Sequence, residues 1–326
     1  MGPADLAETL NGLKLYRPDN LLVGFETGDD AGVFKLSEDR YLVQTVDFIT
    51  PVVDDPYQFG QISALNSMSD VFAMGGTPLT AMSVFSYNCS VGSDPIKSMM
   101  QGAADEFAKV NCTLLGGHTV DDAEIKLGFS ITGEITDGRI YKNVGLREGD
   151  LLIYTKQLGT GLVSTALKAG LASEPHIKAV SETMLLSNYE ASKLLRKFDC
   201  SACTDITGFG LSGHAYEMAS GSGVSIEIER KNINIIAGAQ EYASQFIIPA
   251  GAYSNMDFIG DNCQVEMAQD NSHMVFFDPQ TSGGLLIGVS EKDAQDMLQS
   301  LKDAGYPDSV IAGQVTPKKE KAIYLK

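Results

Sequence analysis

Asn66-Ser67-Met68-Ser69-Asp70-Val71-Phe72-Ala73-Met74-Gly75-Gly76 closes an apolar-periodic run that opens at Asp55-Pro56. The run carries Phe59, Ile62, Leu65, Met68 and Phe72 at helical spacing, and an acid followed by proline suits a helix start. The spacing predicts a helix over 55–74, stopped by two glycines. Asn66 and Asp70 stand one turn apart on it and project from one face. Asp70 lies near the C-terminal end, where the helix dipole opposes an acid, so it calls for a cation.

Working outward, strands are expected at Tyr41–Phe48, Leu79–Tyr87, Thr113–Leu115 and Ile125–Ile135, with a second helix at Asp94–Val110. Arg147-Glu148-Gly149-Asp150 breaks the pattern, and the apolar run Leu151–Tyr154 starts a new series. Helices are expected there at Gly161–Leu171, Ser181–Phe198, Leu211–Ser220 and Glu291–Ala304. Strands are expected at Val224–Ile228, Met274–Phe277, Leu285–Val289 and in a last pair. The mixed order implies α+β layers rather than a doubly wound parallel sheet. Two domains are expected, 1–148 and 149–326.

The formal charge of −18, from 42 acids against 24 bases, argues against a nucleic-acid surface, which needs a basic patch. It is compatible with a phosphate ligand if divalent ions stand between carboxylates and phosphates. No stretch has the apolar length of a membrane span, and residues 1–10 lack the pattern of a secretory signal. Five irregularly spaced cysteines form no disulfide framework, so a reducing, cytoplasmic setting is expected.

Chemistry concentrates in acids set among glycines: Gly28-Asp29-Asp30-Ala31-Gly32 before a strand, Asp47 within one, Asp70 on its helix, and Asp205 in Thr204-Asp205-Ile206-Thr207-Gly208-Phe209-Gly210. Aspartates in apolar surroundings are costly unless paired or metal-bound, and hard oxygen ligands suit Mg²⁺ bridging to phosphates. The bland alternative makes Asp29 and Asp205 turn or cap residues. Gly116-Gly117-His118-Thr119 follows a short apolar run and can bring backbone N–H groups to an anion, or be a tight turn with a surface histidine. Lys156 reads equally as an ordinary exposed lysine before a helix. Gly208, Gly210 and Gly213 spell GxGxxG, but the preceding 197–204 is polar and cysteine-rich, so a dinucleotide fingerprint is rejected. Cys200 and Cys203 have no second pair at zinc spacing and read as reduced thiols. There is no Walker-type phosphate loop.

Together these segments resemble selenophosphate synthetase (selenide, water dikinase). The resemblance rests on Gly28-Asp29-Asp30-Ala31-Gly32-Val33, Thr45-Val46-Asp47-Phe48-Ile49-Thr50-Pro51, the 66–76 segment, Gly116-Gly117-His118-Thr119, Thr204 to His214 and Asp278-Pro279-Gln280-Thr281-Ser282-Gly283-Gly284-Leu285-Leu286, in order along the chain. It implies an aminoimidazole-ribonucleotide-synthetase-like fold of two α+β domains, the first binding ATP and magnesium and forming a homodimer. It implies conversion of ATP, selenide and water into selenophosphate, AMP and phosphate. By motif position, Asp30, Asp70 and Asp205 are implied magnesium ligands. Thr27, Gly28, Asp29, Asp47 and Asp70 are implied nucleotide contacts, and Gly117, His118 and Thr119 contacts supplied across the dimer.

Gln157 replaces the proline common in relatives. The family's reactive cysteine or selenocysteine and its essential lysine precede the stretch resembling residues 2–6, which places both upstream of Met1. No residue here takes those roles. The expectation is that Met1 is an internal methionine, preceded by a further segment of about 15 to 25 residues, too short for a domain. The 326 residues alone are then expected to bind Mg-ATP without making selenophosphate. The competing readings are a small-molecule kinase of the same superfamily, such as a thiamine-phosphate kinase or the hydrogenase-maturation relative, and a non-catalytic dimeric ATP-binding regulator.

Overall fold

The computed structural model describes residues 16–24, 28–265 and 269–326. The helix over the opening stretch is α1, Pro56–Ala73. The Asp55 carboxylate caps it by accepting the Gln58 N–H at 2.9 Å, and Pro56 takes the first-turn position where a missing N–H costs nothing. It ends where Gly75 adopts a left-handed φ of 77°. Nearly all of α1 is buried, as expected of a helix packed on every side. A second helix, α2 (Ser93–Lys109), crosses it with backbones in contact. A Cβ on Gly60 would fall 1.8 Å from the Met99 carbonyl oxygen, and one on Gly102 2.1 Å from that of Tyr57.

These helices cover one face of a sheet with strand order β1-β2-β3-β6-β4-β5. Its strands are β1 Leu21–Val23, β2 Gly32–Lys35, β3 Tyr41–Ile49, β4 Thr77–Tyr87, β5 Thr113–Asp121 and β6 Lys126–Ile135. All pairs are antiparallel except β4–β5, whose parallel crossover is α2. Phe107 of α2 meets Phe129 of β6 edge-to-face at 4.9 Å in that core. On the opposite face the register aligns Val46 and Phe48 of β3, Met82 and Val84 of β4, and His118 and Val120 of β5. All six are exposed, Val46 at 58% and Phe48 at 53%.

A second sheet has the order β10-β13-β9-β12-β7-β11-β8. Its strands are β7 Leu151–Tyr154, β8 Cys200–Asp205, β9 Ser225–Ile228, β10 Cys263–Val265, β11 Leu285–Val289, β12 Val310–Thr316 and β13 Ile323–Leu325. Only β10–β13 and β13–β9 are parallel. Packed with it are α3 Thr160–Lys168, α4 Glu174–Leu185, α5 Tyr189–Leu194, α6 Gly210–Ser222, α7 Ala239–Ser244, α8 Ala250–Ile259 and α9 Glu291–Asp303. Helix α1 of the first half packs against β8, α4 and α5 of the second, so the two sheets meet around it.

Four elements differ from the sequence reading. The helix expected over 181–198 is two, because Leu186 turns extended and Asn188 begins α5. Met274–Phe277 lies largely in a 3-10 turn, Ser272–Phe276, rather than a strand. Strand β5 runs through Gly116 and Gly117 to Asp121, so His118 sits mid-strand rather than in a turn. Cys200–Asp205 is a buried strand after all, its cysteines and threonine packing as small apolar groups. That removes the stated ground for rejecting a dinucleotide fold. The rejection itself rests better on topology: β8 is an edge strand antiparallel to β11, with no parallel βαβ crossover.

Candidate active site

The two halves bring four aspartates together. Asp30 precedes β2, Asp47 lies in β3, Asp70 in the last turn of α1, and Asp205 ends β8 of the second sheet. Their mutual influence gives the grouping. Burial, then Asp205 and Asp70, holds the Asp30 carboxyl well above the usual range. Burial, then Asp205 and Asp47, does the same to Asp70. Asp47 is pushed up to about 6, chiefly by burial. Burial also raises Asp205, opposed by a hydrogen bond from Ser69 and by the charges of His214 and Lys156. Like charges gathered in a low-dielectric site disfavour one another's ionisation, the condition a cation relieves.

Each carboxylate is held by named donors. Thr204 Oγ1 donates to Asp30 Oδ1 at 2.6 Å, linking the second half to the first. Thr45 Oγ1 donates to Asp70 Oδ2 at 2.5 Å. Asn66 Nδ2 and the Phe48 N–H donate to Asp47, and Asn66 Oδ1 accepts the Ser282 N–H at 2.8 Å. Oδ2 of Asp30 and Oδ2 of Asp205 are buried without a hydrogen-bond partner. Such orphaned oxygens are costly and suit a hard divalent cation. Among the described residues no group of three or more acidic, histidine or cysteine side chains is placed to hold a metal ion by itself. The oxygens fit an ion whose remaining ligands are water and phosphate, as magnesium sites commonly are.

The Gly28-Asp29 turn is fixed from the β6–β7 connection, where Asn143 donates its N–H to Asp29 Oδ1 at 2.9 Å and Nδ2 to the Gly28 carbonyl at 2.8 Å. Gly28 takes a φ of 62°, which favours glycine. Thr27 lies outside the described residues. So does Met1. Gly117, His118 and Thr119 do not join the cluster within one chain: they lie on exposed β5, and none of the hydrogen bonds of the described carboxylates involves them.

Lys156 is a correction. It is 1% exposed, not a surface lysine. Its Nζ donates to the Ser282 carbonyl at 2.7 Å, and burial lowers it to about 7 against the pull of Asp205. The segment around Ser282 is bound in turn to the start of α3. Gln280 Oε1 accepts the N–H groups of Gly159 and Thr160, and Asp278 Oδ2 those of Gly161 and Leu162. Asp278, fully buried, is pushed up to about 7 by burial. Lys156, Asn143 and Ser282 surround the carboxylate cluster through these hydrogen bonds, and sequence reasoning did not assign them. The signal for them was neighbourhood alone, since each lies in or beside a glycine-bearing motif or a helix break. Cys200 and Cys203 are both buried, and burial pushes the Cys200 thiol up to about 12 and the Cys203 thiol well above its ordinary value, which disfavours the thiolate at both.

Known proteins show the family and the fold. The AIR synthase related protein family matches through its N-terminal domain over residues 28–135 and its C-terminal domain over 147–326. The selenide, water dikinase of Caldanaerobacter subterraneus subsp. tengcongensis is 44% identical over 327 residues, 100% of this chain and 94% of that protein. That of Clostridioides difficile is 45% identical, over 99% of this chain and 93% of its own. This chain belongs to the selenide, water dikinase family. Within the wider AIR synthase-like group, a solved ThiL protein complexed with AMPPCP and TMP has a TM-score of 0.67 at 19% identity, covering 99% of this chain and 93% of its own. Escherichia coli HypE has a TM-score of 0.67 at 17% identity, covering 86% and 81%. At those identities the likeness is one of fold, and it fixes the α+β class with two AIR-synthase-type domains. A selenide, water dikinase is a phosphotransferase, and the buried acids suit a divalent metal in such a site. Among the described residues no helix is long and apolar enough to cross a membrane.

Proposed function

We propose that the chain uses Mg²⁺-ATP, selenide and water to make selenophosphate, releasing AMP and phosphate, in the cytoplasm. The observation that carries this is the set Asp30, Asp70 and Asp205, drawn from both halves of the chain, with buried oxygens left unpaired on Asp30 and Asp205. These three are the proposed magnesium ligands. Bound there, Mg²⁺ would supply charge neutralisation for the ATP phosphates. The chain's own part is positioning: Thr204, Thr45 and Asn66 set the directions of the carboxylates, and Asn143 holds the Gly28-Asp29 turn beside them. Phosphoryl transfer asks chiefly for such alignment and charge balance. Thr27, Gly28, Asp29, Asp47 and Asp70 are the proposed nucleotide contacts.

The proposal divides the chain at about residue 148, between the sheets that end at Ile135 and begin at Leu151. It includes a homodimer formed through the open face of the first sheet. His118 stands on that face in register with Val84, which supports Gly117, His118 and Thr119 as contacts to the partner's nucleotide.

The test is ³¹P NMR of the full gene product with ATP, Mg²⁺ and selenide. Selenophosphate, AMP and phosphate should appear together. Formation of ADP without dependence on selenide would place the protein with the small-molecule kinases of the superfamily instead.

A further inference from the structure

We infer that Asn188 is a positioning residue for the carboxylate centre, acting through the Ser69 hydroxyl on Asp205 and through the Gly283 carbonyl on the turn beside it. The inference rests on the metal-nucleotide reading above. Asn188 is buried in the break between α4 and α5 and touches no carboxylate itself. Its Nδ2 donates to Ser69 Oγ at 2.9 Å and to the Gly283 carbonyl at 2.8 Å. A carbonyl can only accept, so the amide nitrogen and not its oxygen must face Gly283. Both amide hydrogens are then used. Ser69 Oγ is an acceptor in this pair, which leaves its single hydrogen to donate, and Ser69 favours the ionised form of the Asp205 carboxyl. The donor line Asn188, Ser69, Asp205 has one direction.

Ser69 precedes Asp70 on α1, whereas Asn188 and Asp205 belong to the second half. The line therefore sets one of the acids of the second sheet against the helix that carries an acid of the first. The second branch does the same by another route. Ser282, next to Gly283, is a non-glycine residue in left-handed backbone, with φ of 48°. Such a conformation persists only where its surroundings over-determine it. Here the Ser282 N–H goes to Asn66 Oδ1, the Ser282 carbonyl accepts from Lys156, and the Ile206 N–H donates to the Gly284 carbonyl at 2.9 Å. Asn66 holds Asp47, and Ile206 follows Asp205. A Cβ on Gly283 would fall 2.0 Å from the Ile206 carbonyl oxygen, so the turn lies directly on the strand end that bears Asp205.

The other polar atom of the Asn188 side chain, Oδ1, is buried with no hydrogen-bond partner. Leaving an acceptor unsatisfied is costly. The amide is held for its two donors, and both lead to the carboxylate centre.

The experiment is calorimetric titration of AMPPCP at a series of Mg²⁺ concentrations, with thermal melts of the metal-free proteins alongside. Asn188→Ala and Ser69→Ala should each raise the Mg²⁺ concentration for half-maximal AMPPCP binding by about tenfold, the usual loss when a metal ligand's supporting hydrogen bond is removed. Affinity at saturating Mg²⁺ should stay close to the parent's even where the metal-free Tm falls with the loss of the buried hydrogen bonds, a split that a merely structural role would not produce. The double variant should lose less than the product of the two single losses, because the hydroxyl and the amide act on one carboxylate. If Asn188→Ala does not fold, Asn188→Asp takes its place, keeping the shape while putting an acceptor where the donor was. An unshifted Mg²⁺ requirement in either single variant, with the parent binding normally, overturns the inference. A parent that binds AMPPCP without any dependence on Mg²⁺ overturns the metal-nucleotide reading, and this inference with it.

Discussion

Asp70 pays for its position in the metal-free protein. Burial and the neighbouring acids Asp205 and Asp47 hold its carboxyl well above the ordinary value. A group whose folded pKa is raised contributes stability at pH below its unfolded pKa, and that contribution is lost as pH rises through the folded pKa. Asp70→Asn should therefore raise the metal-free Tm at pH 8 by roughly a few degrees, with the gap closing as pH falls toward 4. In the same variant Mg²⁺-dependent AMPPCP binding should weaken by at least about tenfold, or roughly 1.4 kcal/mol. A melt and a calorimetric titration check the two halves, and unchanged affinity would remove Asp70 from the site. Asp70 was legible in the sequence because its discomfort is local, an acid in the last turn of an apolar helix. Lys156 was not, because the carbonyl that receives its ammonium belongs to Ser282, 126 positions away. Nothing near residue 156 announces that burial.

Strand β9 shows how charge fastens elements together. Glu227 is nearly buried on it and accepts from Lys319, from Lys326 Nζ at 2.5 Å and from Gln314 Nε2 at 3.1 Å. One side chain so ties β9 to β12, to the β12–β13 connection and to the end of β13. The bonds from Lys319 and Lys326, in that order, lower its pKa to about 2. A depressed carboxylate contributes stability above its unfolded pKa and loses it as pH falls through the folded value. Both lysines are substantially exposed, so solvent screens the pairs and the contribution is modest, about 1 kcal/mol. Glu227→Gln should lower stability by about that amount at pH 7 in urea melts, and the difference should vanish between pH 4.5 and 2. A deficit that persists at pH 2 would show that packing, not charge, was lost. Elements with a clean period, such as α1, α9 and β11, were readable to within a residue or two. The misread ones are those where tertiary contact overrides local signal. Strand β5 continues through two glycines because the exposed edge of β4 gives it a parallel template. The 186–188 break interrupts a helical pattern because Asn188 is drawn to Ser69 and Gly283.

For the whole molecule, the open face of the first sheet is the feature a single chain leaves unexplained. β3 alternates Val43, Thr45, Asp47 and Ile49 toward α1 with Val46 and Phe48 away from it, so both faces carry apolar groups. An antiparallel sheet facing water on one side reads polar there. This one presents Val46, Phe48, Met82, Val84 and Val120 in register, and contiguous apolar surface of that kind marks an interface. The sequence held this information as the apolar residues on both parities of β3, but only the pairing of β3, β6, β4 and β5 shows that they form one surface. A two-fold axis through the face would bury it against its own copy, the commonest closed arrangement. It would also carry His118, beside Val84, toward the other subunit's site. Val84 points away from the core, so Val84→Asp should leave the fold intact while placing a charge at the centre of the face. In sedimentation the parent should run at about twice the 34.9 kDa chain mass and the variant at the chain mass. Because His118 would then lose its partner, the monomeric variant should bind Mg-AMPPCP at least about tenfold more weakly. A variant that remains dimeric would move the interface elsewhere. A monomer that binds as tightly as the parent would keep the interface and remove Gly117, His118 and Thr119 from the nucleotide site.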